Sequence, residues 1–400
     1  MTELGRAGGS AARRSLVALL VVLAIGGGVG FGALLASLAA DPGAVAAVSA
    51  TPDATVSPSP SPSPSPTPEP TPTPEPTPEP TPVLVPAPLT GLPVSPEAAT
   101  RRAIAVMIDD HRAARPQSGF NAASVVWQAP AEGGIPRYML VFQEAIPGEV
   151  GPVRSARQYY IDWAAEWNAV YVHVGGSPGA LATLRSHGRG QLVWNADEFR
   201  WGGMYLWRSD GHAAPHNVYT DGEHLRGLAV AVGAADVPLE PAWTFGPGLD
   251  GDARPVGTTI VVNYPYETIT YRYDAATNRY RRFIDKATEP QVDAADGRVV
   301  APANVVILRM RFGALNDGHP EKHRLDADDI GTGEAIISTN GRVIVGTWSK
   351  DSVTGATHLF GPDGEPVTLT AGQTFVQVIA LSYTYSVRVG AVPGTRLDIR

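Results

Sequence analysis

The sequence predicts an α/β domain with a largely parallel or mixed sheet, followed by an all-β domain. Two patterns support this fold class. Between residues 89 and 235, short apolar runs typical of buried strands alternate with segments of helical periodicity. From residue 243 to residue 400, short alternating runs are separated by turn sequences such as GPDGE. We therefore predict two globular domains, at 89–235 and 243–400, preceded by a transmembrane helix and a disordered, proline-rich stalk.

The N-terminal segment predicts a single-pass membrane anchor. Residues 16–40 contain no charged side chain, and about 20 apolar residues suffice to span a bilayer. Three arginines precede this stretch and Asp41 follows it, so the positive-inside rule leaves a cytoplasmic tail at 1–15 and exports the rest. A cleaved signal peptide is the rival interpretation, but its apolar core runs only about 7 to 15 residues. We expect a cell-membrane protein whose globular part is extracytoplasmic.

Residues 41–88 are predicted to be a linker rich in proline, serine and threonine. Every second residue from Ser57 to Pro82 is proline. Such a run favours extended polyproline II, because each proline fixes φ and lacks a backbone N–H. At about 3.1 Å per residue, this segment reaches roughly 80 Å. The linker would hold the globular part away from the membrane.

Composition excludes several classes of function. The net charge is −8 and no clustered basic surface is visible, which argues against a nucleic-acid partner. The chain contains no cysteine, so disulfides, thiolate catalysis and cysteine-ligated zinc are all excluded.

In the first domain, the elements follow from local signals. The apolar runs predict strands at 103–108, 124–129, 137–144 and 168–174. Ser155 and Gln158 have capping-box spacing and predict a helix that begins at Ser155. Ser177 and Pro178 suit the N-cap and first position of a further helix that runs to about His187. The alternation of these strands and helices along the chain favours a largely parallel sheet.

In the second domain, alternation of apolar and polar residues predicts strands only. The runs are TIVVNYPYETITYRYD, NRYRRF, NVVILRMRF, EAIIST, GRVIVGTWSK, EPVTL and QTFVQVIAL. We place the boundary between the two domains between residues 228 and 243.

The segment GPVRSAR, residues 151–157, raises the main functional question. Arg154 and Arg157 bracket the predicted helix start, where the helix dipole already supplies positive potential. Two arginines there imply a negative partner. That partner is either a carboxylate of the same chain, from Glu132, Glu149, Asp109 or Asp110, or a bound phosphate, pyrophosphate or carboxylate.

We expect a ligand crevice at the carboxyl ends of the strands, where a doubly wound sheet binds ligands. The predicted function is binding of an anionic small molecule or envelope component, without turnover and without a metal. The predicted ligand-binding residues are Asp109, Arg115, Glu132, Arg154, Arg157 and His173.

A second hypothesis is an envelope enzyme of phosphoryl or glycopolymer transfer. Arg154 and Arg157 would clamp a pyrophosphate, and Asp109 or Asp110 would hold Mg²⁺. His173 or Glu132 would then act as the acid or base.

Two further motifs carry weaker signals. GGSPG, residues 175–179, matches the G-x-S-x-G pattern of serine hydrolases. However, Pro178 follows Ser177 and has no N–H for an oxyanion hole, which argues against a hydrolase. In DGHAAPHN, residues 210–217, Pro215 prevents a helical zinc pair of His212 and His216, so we predict a polar surface loop.

Several longer segments resemble the YerB-like family of bacterial envelope proteins. They are LTGLPV (89–94), IAVMIDDHRAARPQSG (104–119), APAEGGIPRY (129–138), GPVRSAR (151–157), VYVHVGGSP (170–178), PHNVYT (215–220), GTWSK (346–350) and GQTFVQV (372–378). The resemblance implies two extracytoplasmic domains of unknown function and supplies no substrate. Family members look like lipoproteins with an N-terminal cysteine, whereas here a predicted transmembrane helix replaces that anchor. Gln128 also departs from the family, in which an acidic residue is commoner.

The layout alone is similar to that of the LytR-CpsA-Psr enzymes. Those enzymes also have an anchor, a spacer, a strand that ends in Asp and a later Pro-x-Arg segment. This similarity implies a lipid-pyrophosphate substrate under the transferase hypothesis.

Overall fold

The computed structural model describes residues 83–393. The predicted cytoplasmic tail, the transmembrane helix at 16–40 and the linker up to residue 82 lie outside the described residues. Among residues 83–393, no helix is both long enough and apolar enough to cross a membrane.

The first half of the described chain contains both strands and helices. The strands are β1 (Val85–Pro86), β2 (Pro93–Val94), β3 (Ile104–Asp109), β4 (Val125–Glu132), β5 (Ile135–Phe142), β6 (Val170–His173), β7 (Trp194–Asp197), β8 (Trp207–Arg208) and β9 (Val218–Tyr219). The α-helices are α1 (Pro96–Thr100), α2 (Gln158–Ala165), α3 (Pro178–His187), α4 (Glu198–Trp201) and α5 (Gly222–Val232).

The second half is built from strands, with short 3₁₀ turns between some of them. These strands are β10 (Thr244–Gly246), β11 (Thr259–Asn263), β12 (Thr268–Asp274), β13 (Arg279–Ile284), β14 (Asn304–Met310), β15 (Phe312–Ala314), β16 (Leu325–Ala327), β17 (Gly331–Thr339), β18 (Arg342–Lys350), β19 (His358–Phe360), β20 (Thr368–Thr370), β21 (Thr374–Ala380) and β22 (Thr384–Arg388).

One ten-stranded mixed sheet runs through both halves in the order β19-β18-β17-β14-β21-β4-β5-β3-β6-β7. The pairs β14/β21, β21/β4, β3/β6 and β6/β7 are parallel, and the other neighbours are antiparallel. A second, four-stranded sheet has the order β13-β12-β11-β22.

The predicted fold class is therefore wrong. The structure is mostly β, with 40% strand and 15% helix, and the first half is not a separate α/β layer. The reason is a long-range pairing: β21 lies beside β4, with Val376 opposite Trp127, so the two halves share one sheet. Central strands β3, β4 and β5 pair antiparallel, which the predicted alternation of strands and helices did not anticipate. The domain boundary between residues 228 and 243 stays a prediction.

Helix α2 also begins later than predicted, at Gln158 instead of Ser155. The N–H of Ala156 donates to the carbonyl of Gly175 at 2.9 Å, which keeps the preceding residues extended. Arg157 consequently occupies the N-cap, without a side-chain capping bond. Both GPVRSAR arginines therefore lie ahead of the first turn of the helix.

Apolar side chains pack on both faces of the large sheet. On one face, Trp127 of β4 stacks on Trp163 of α2 with ring centroids 4.7 Å apart. On the other face, Ile260 and Tyr271 of the four-stranded sheet are fully buried with Phe375. Burying a large apolar side chain contributes about 1.5 to 3 kcal/mol. These two layers fix the position of the carboxyl end of β3, where the candidate site lies.

Candidate functional site

A cavity of about 130 Å³ lies at the end of β3. It is lined by Asp109, His111, Glu132, Ile135, Arg137, Arg154 and His216. Three of the six predicted ligand-binding residues are among them: Asp109, Glu132 and Arg154.

Asp109 is the last residue of β3, and its carboxylate links three partners. Its Oδ1 accepts the backbone N–H of His111 at 3.0 Å. Its Oδ2 lies 2.6 Å from His216 Nδ1 and 3.0 Å from Arg154 Nε. The angle at Arg154 Nε falls outside hydrogen-bond geometry, so that contact is an ion pair without a directed bond. Asp109 therefore orients one histidine and one arginine at the cavity.

Arg154 is fixed by its backbone and leaves donors available. Its N–H donates to the carbonyl of Met107 at 2.8 Å, which holds this segment against β3. Its side chain is 24% exposed. Among residues 83–393, neither Nη1 nor Nη2 of Arg154 has a hydrogen-bond partner, although each carries donor N–H groups.

Glu132 is shared by two further arginines. The β4–β5 hairpin turns through Gly133 and Gly134, both with positive φ, and brings Glu132 close to Arg137. Glu132 Oε1 accepts from Arg137 Nη2 at 3.1 Å and also from Arg157 Nη2. The negative partner of Arg157 is thus a carboxylate of the same chain.

The charges of the cavity lining balance, with Arg137 and Arg154 beside Asp109 and Glu132 when the histidines are neutral. Arg157 lies outside the lining and adds a third positive charge next to it, through its contact with Glu132. Burial lowers the pKa of each of these guanidinium groups, and the Asp109 carboxylate partly offsets this for Arg137 and Arg154. The charged forms are therefore incompletely stabilised by the protein itself.

Two histidines complete the cavity, and the sequence prediction missed both. The rings of His111 and His216 stack with centroids 4.7 Å apart and an interplanar angle of 13°. The loop of His216 was predicted to be a polar surface loop, yet it reaches back to Asp109. Arg137 was missed as well. Arg137 and His216 do lie in APAEGGIPRY and PHNVYT, two of the segments that carry the family resemblance, and DGHAAPHN drew attention to His216 only as a possible zinc ligand.

Arg115 does not line the cavity. Its Nη2 contacts Asp110 Oδ1 at 3.0 Å and also Glu267. Gln128 Nε2 donates to the same two carboxyl groups, at 2.7 Å and 2.8 Å. Burial, followed by the neighbouring Glu267, raises the pKa of Asp110 well above its ordinary value. This buried network connects the two halves of the chain, and Gln128 bridges two carboxyl groups in it.

His173 also lies apart from the cavity. It is fully buried, with Nδ1 2.8 Å from the Gly175 carbonyl and Nε2 2.8 Å from Asn195 Oδ1. Ser177 is buried at the N-cap of α3.

Together, the fold and the cavity define a β-rich protein with a small site lined by arginine and histidine side chains. Residues 89–234 match the model described as "Protein of unknown function (DUF3048) N-terminal domain", and residues 260–376 match that of the DUF3048 C-terminal domain. The chain belongs to this family.

The YerB protein of Bacillus subtilis agrees with this assignment in both sequence and structure, which confirms the YerB-like resemblance. The chain is 31% identical over 300 residues to the Bacillus subtilis (strain 168) protein named "Putative lipoprotein YerB", covering 73% of this chain and 86% of that protein. The crystal structure of the YerB protein from Bacillus subtilis matches with a TM-score of 0.66 and 28% identity. That match covers 75% of this chain and 99% of the other.

Proposed function

We propose that this chain is a membrane-attached protein of the cell envelope whose cavity binds the carboxylate or phosphate of a small molecule or envelope component. The lipoprotein description of the Bacillus subtilis relative supports membrane attachment. The apolar segment at 16–40 supports it independently. The observation that carries the binding proposal is Arg154, whose Nη1 and Nη2 have no hydrogen-bond partner among residues 83–393.

The size of the cavity limits what enters it. A volume of about 130 Å³ equals that of about four water molecules at roughly 30 Å³ each. A phosphate or carboxylate group fits this volume, and the remainder of a larger ligand would extend outside it. Arg137 and Arg154 would donate charge-assisted hydrogen bonds to the anion.

Arg154→Gln is expected to weaken anion binding by about 10-fold to 100-fold, because one charge-assisted hydrogen bond contributes about 1.5 to 3 kcal/mol. Calorimetric titration of the full-length chain with inorganic phosphate and with acetate measures the affinity for each anion. Arg112→Gln is the matched control, because Arg112 is exposed, stacks on Tyr266 and does not line the cavity. Equal affinities of wild type and Arg154→Gln, or binding of neither anion by the wild type, would contradict the proposal.

The transferase is a second candidate, and the observation that favours it is the Asp109–His216 contact at 2.6 Å. A carboxylate that orients an imidazole is the arrangement by which a histidine is held as a general base. Under this hypothesis His216 takes the role first assigned to His173 or Glu132, because His173 lies outside the cavity and Glu132 already accepts from Arg137 and Arg157.

The residues first assigned to Mg²⁺ do not fit that ion. Both oxygens of Asp109 already have partners, and Asp110 is buried and bonded to Gln128 and Arg115. Among residues 83–393, no group of three or more histidine or carboxylate side chains is arranged to hold a metal. Mg²⁺ prefers several oxygen ligands, including waters. The second candidate is therefore acid–base chemistry without this ion.

Release of phosphate from a lipid-pyrophosphate analogue tests the second candidate. If His216 is the base, His216→Gln is expected to reduce turnover by about 100-fold or more. His212→Gln is the control, because His212 lies in the same loop and does not line the cavity. Absence of turnover in the wild type, or equal turnover in both variants, would rule out this candidate and leave binding alone.

A further inference from the structure

We propose a second ligand site, beside the edge strand β7, that takes a sugar-sized ring bearing a carboxylate or phosphate. A cavity of about 400 Å³ lies there. It shares no described residue with the Asp109 cavity, and its lining includes Arg189, Trp194, Arg200, Trp201, Ala231 and Val232.

Among the described residues that line this cavity, two are arginines and none is a carboxylate. Arg189 and Arg200 are both exposed. Among residues 83–393, neither guanidinium forms an ion pair or donates a hydrogen bond. The Arg200 guanidinium stacks 4.7 Å from the centre of the Trp201 ring, which restricts its orientation. In the Asp109 cavity, by contrast, carboxylates of the chain pair with each arginine.

The two arginines are not required as helix caps. Helices α3 and α5 both end at this cavity, and cations near a helix C-terminus are stabilising in general. In the described part of the chain, neither guanidinium donates to a helix carbonyl, and one terminal carbonyl of each helix already has a backbone partner. His187 O accepts from Leu192 N at 3.0 Å, and Val230 O accepts from Gly233 N at 3.0 Å. The N–H donors of both guanidinium groups thus remain available to a ligand.

An independent observation comes from the indole of Trp201. Its Nε1 is buried and has no hydrogen-bond partner in the described part of the chain. The neighbouring Trp194 Nε1 does have one, Asn168 Oδ1 at 3.0 Å. A buried donor without an acceptor costs about 1 to 3 kcal/mol in general. A movement of the Trp201 ring that brings Nε1 to an acceptor oxygen on a ligand in the cavity would remove that cost.

The size and chemistry of the lining select the ligand class. The volume equals that of about thirteen water molecules at roughly 30 Å³ each, so a lone phosphate would leave most of the cavity unfilled. Trp194, Ala231 and Val232 supply apolar surface for the C–H face of a ring. Arg189 and Arg200 supply planar donor groups that match a carboxylate or phosphate. A uronic acid or a sugar phosphate combines both features.

Calorimetric titration of the full-length chain with glucose 6-phosphate, galacturonate and glucose tests this site. Both charged sugars are expected to bind, and glucose to bind at least about 10-fold more weakly. Arg189→Gln and Arg200→Gln are each expected to weaken binding of the charged sugars by about 10-fold or more. Arg185→Gln is the matched control, because Arg185 is exposed in the last turn of α3 and outside the lining.

Trp201→Phe keeps an aromatic ring and removes the N–H, so it is expected to weaken binding about 3-fold to 10-fold without unfolding the chain. Arg154→Gln is expected to leave this binding unchanged, which separates failure of this site from failure of the Asp109 cavity. The proposal is overturned if the wild type binds neither charged sugar or binds glucose equally well. It is also overturned if Arg185→Gln weakens binding as much as Arg200→Gln does.

Discussion

Lys350→Met is expected to destabilise the fold by about 3 to 5 kcal/mol, because it leaves a buried carboxylate without its cation. Lys350 Nζ, at the end of β18, lies 3.0 Å from Glu166 Oε1 at the end of α2, and their side chains are 0% and 1% exposed. Burial raises the pKa of Glu166, and Lys350 opposes that shift. This pair joins the two halves of the chain, and its loss would remove a large part of a typical stability of about 5 to 15 kcal/mol.

Urea unfolding of the full-length chain measures this effect. The double variant Lys350→Met/Glu166→Gln is expected to recover most of the loss, since it removes both charges. Arg342→Met, at the exposed opposite end of β18, is the control and is expected to change the free energy of unfolding by less than about 0.5 kcal/mol. A loss below about 1 kcal/mol for Lys350→Met would contradict the assignment of a buried ion pair.

Asp329→Asn is expected to stabilise the protein by about 2 to 4 kcal/mol at pH 8 and to have almost no effect at pH 4. Asp329 is 6% exposed, and its Oδ2 has no hydrogen-bond partner among residues 83–393. Burial, with a contribution from Asp162, raises the pKa of Asp329 to about 7 from an ordinary value of 3.8. Burial also raises the pKa of Asp162, to about 6.

The sign of the effect follows from proton binding. Between pH 4 and pH 7 the folded state keeps the Asp329 proton and the unfolded chain releases it. Stability of the wild type therefore falls as pH rises through this range, and it stays low above pH 7. Asparagine cannot ionise, so the stability of the Asp329→Asn variant does not fall over this pH range for that reason. Urea unfolding at pH 4, 6 and 8 measures the free energy of unfolding of both proteins. Asp328→Asn is the control, because Asp328 is exposed. Equal stabilities of Asp329→Asn and the wild type at pH 8 would show that Asp329 is not buried as described.

Local signals in the sequence predicted local structure well. NAVYVHV and Ser177–Pro178 predicted strand β6 and the start of α3, and both lie where expected. The fold class was wrong because it depends on β21 pairing with β4, two strands about 250 residues apart with no local signature of their contact. The start of α2 was misplaced for a similar reason, since the bond from Ala156 to Gly175 overrides the capping signal.

The candidate site was partly predictable from charge. The argument from the helix dipole required a negative partner for GPVRSAR, and Glu132 supplies one for Arg157. The same argument could not identify His216, because its contact with Asp109 spans 107 residues. Residue type alone also could not show that Arg115 lies outside the cavity. The position of Arg115 depends on its contact with Glu267, which belongs to the second half of the chain.

The central claim is that the cavity at Asp109 binds an anion through Arg154 and Arg137. Crystals of the protein grown with selenate, a tetrahedral dianion like hydrogen phosphate that also scatters anomalously, test it most directly. We predict an anomalous peak inside the cavity, within hydrogen-bonding distance of Arg154 Nη1 or Nη2 and of Arg137. Absence of a peak in this cavity, with Arg154 still paired to Asp109 alone, would contradict the claim.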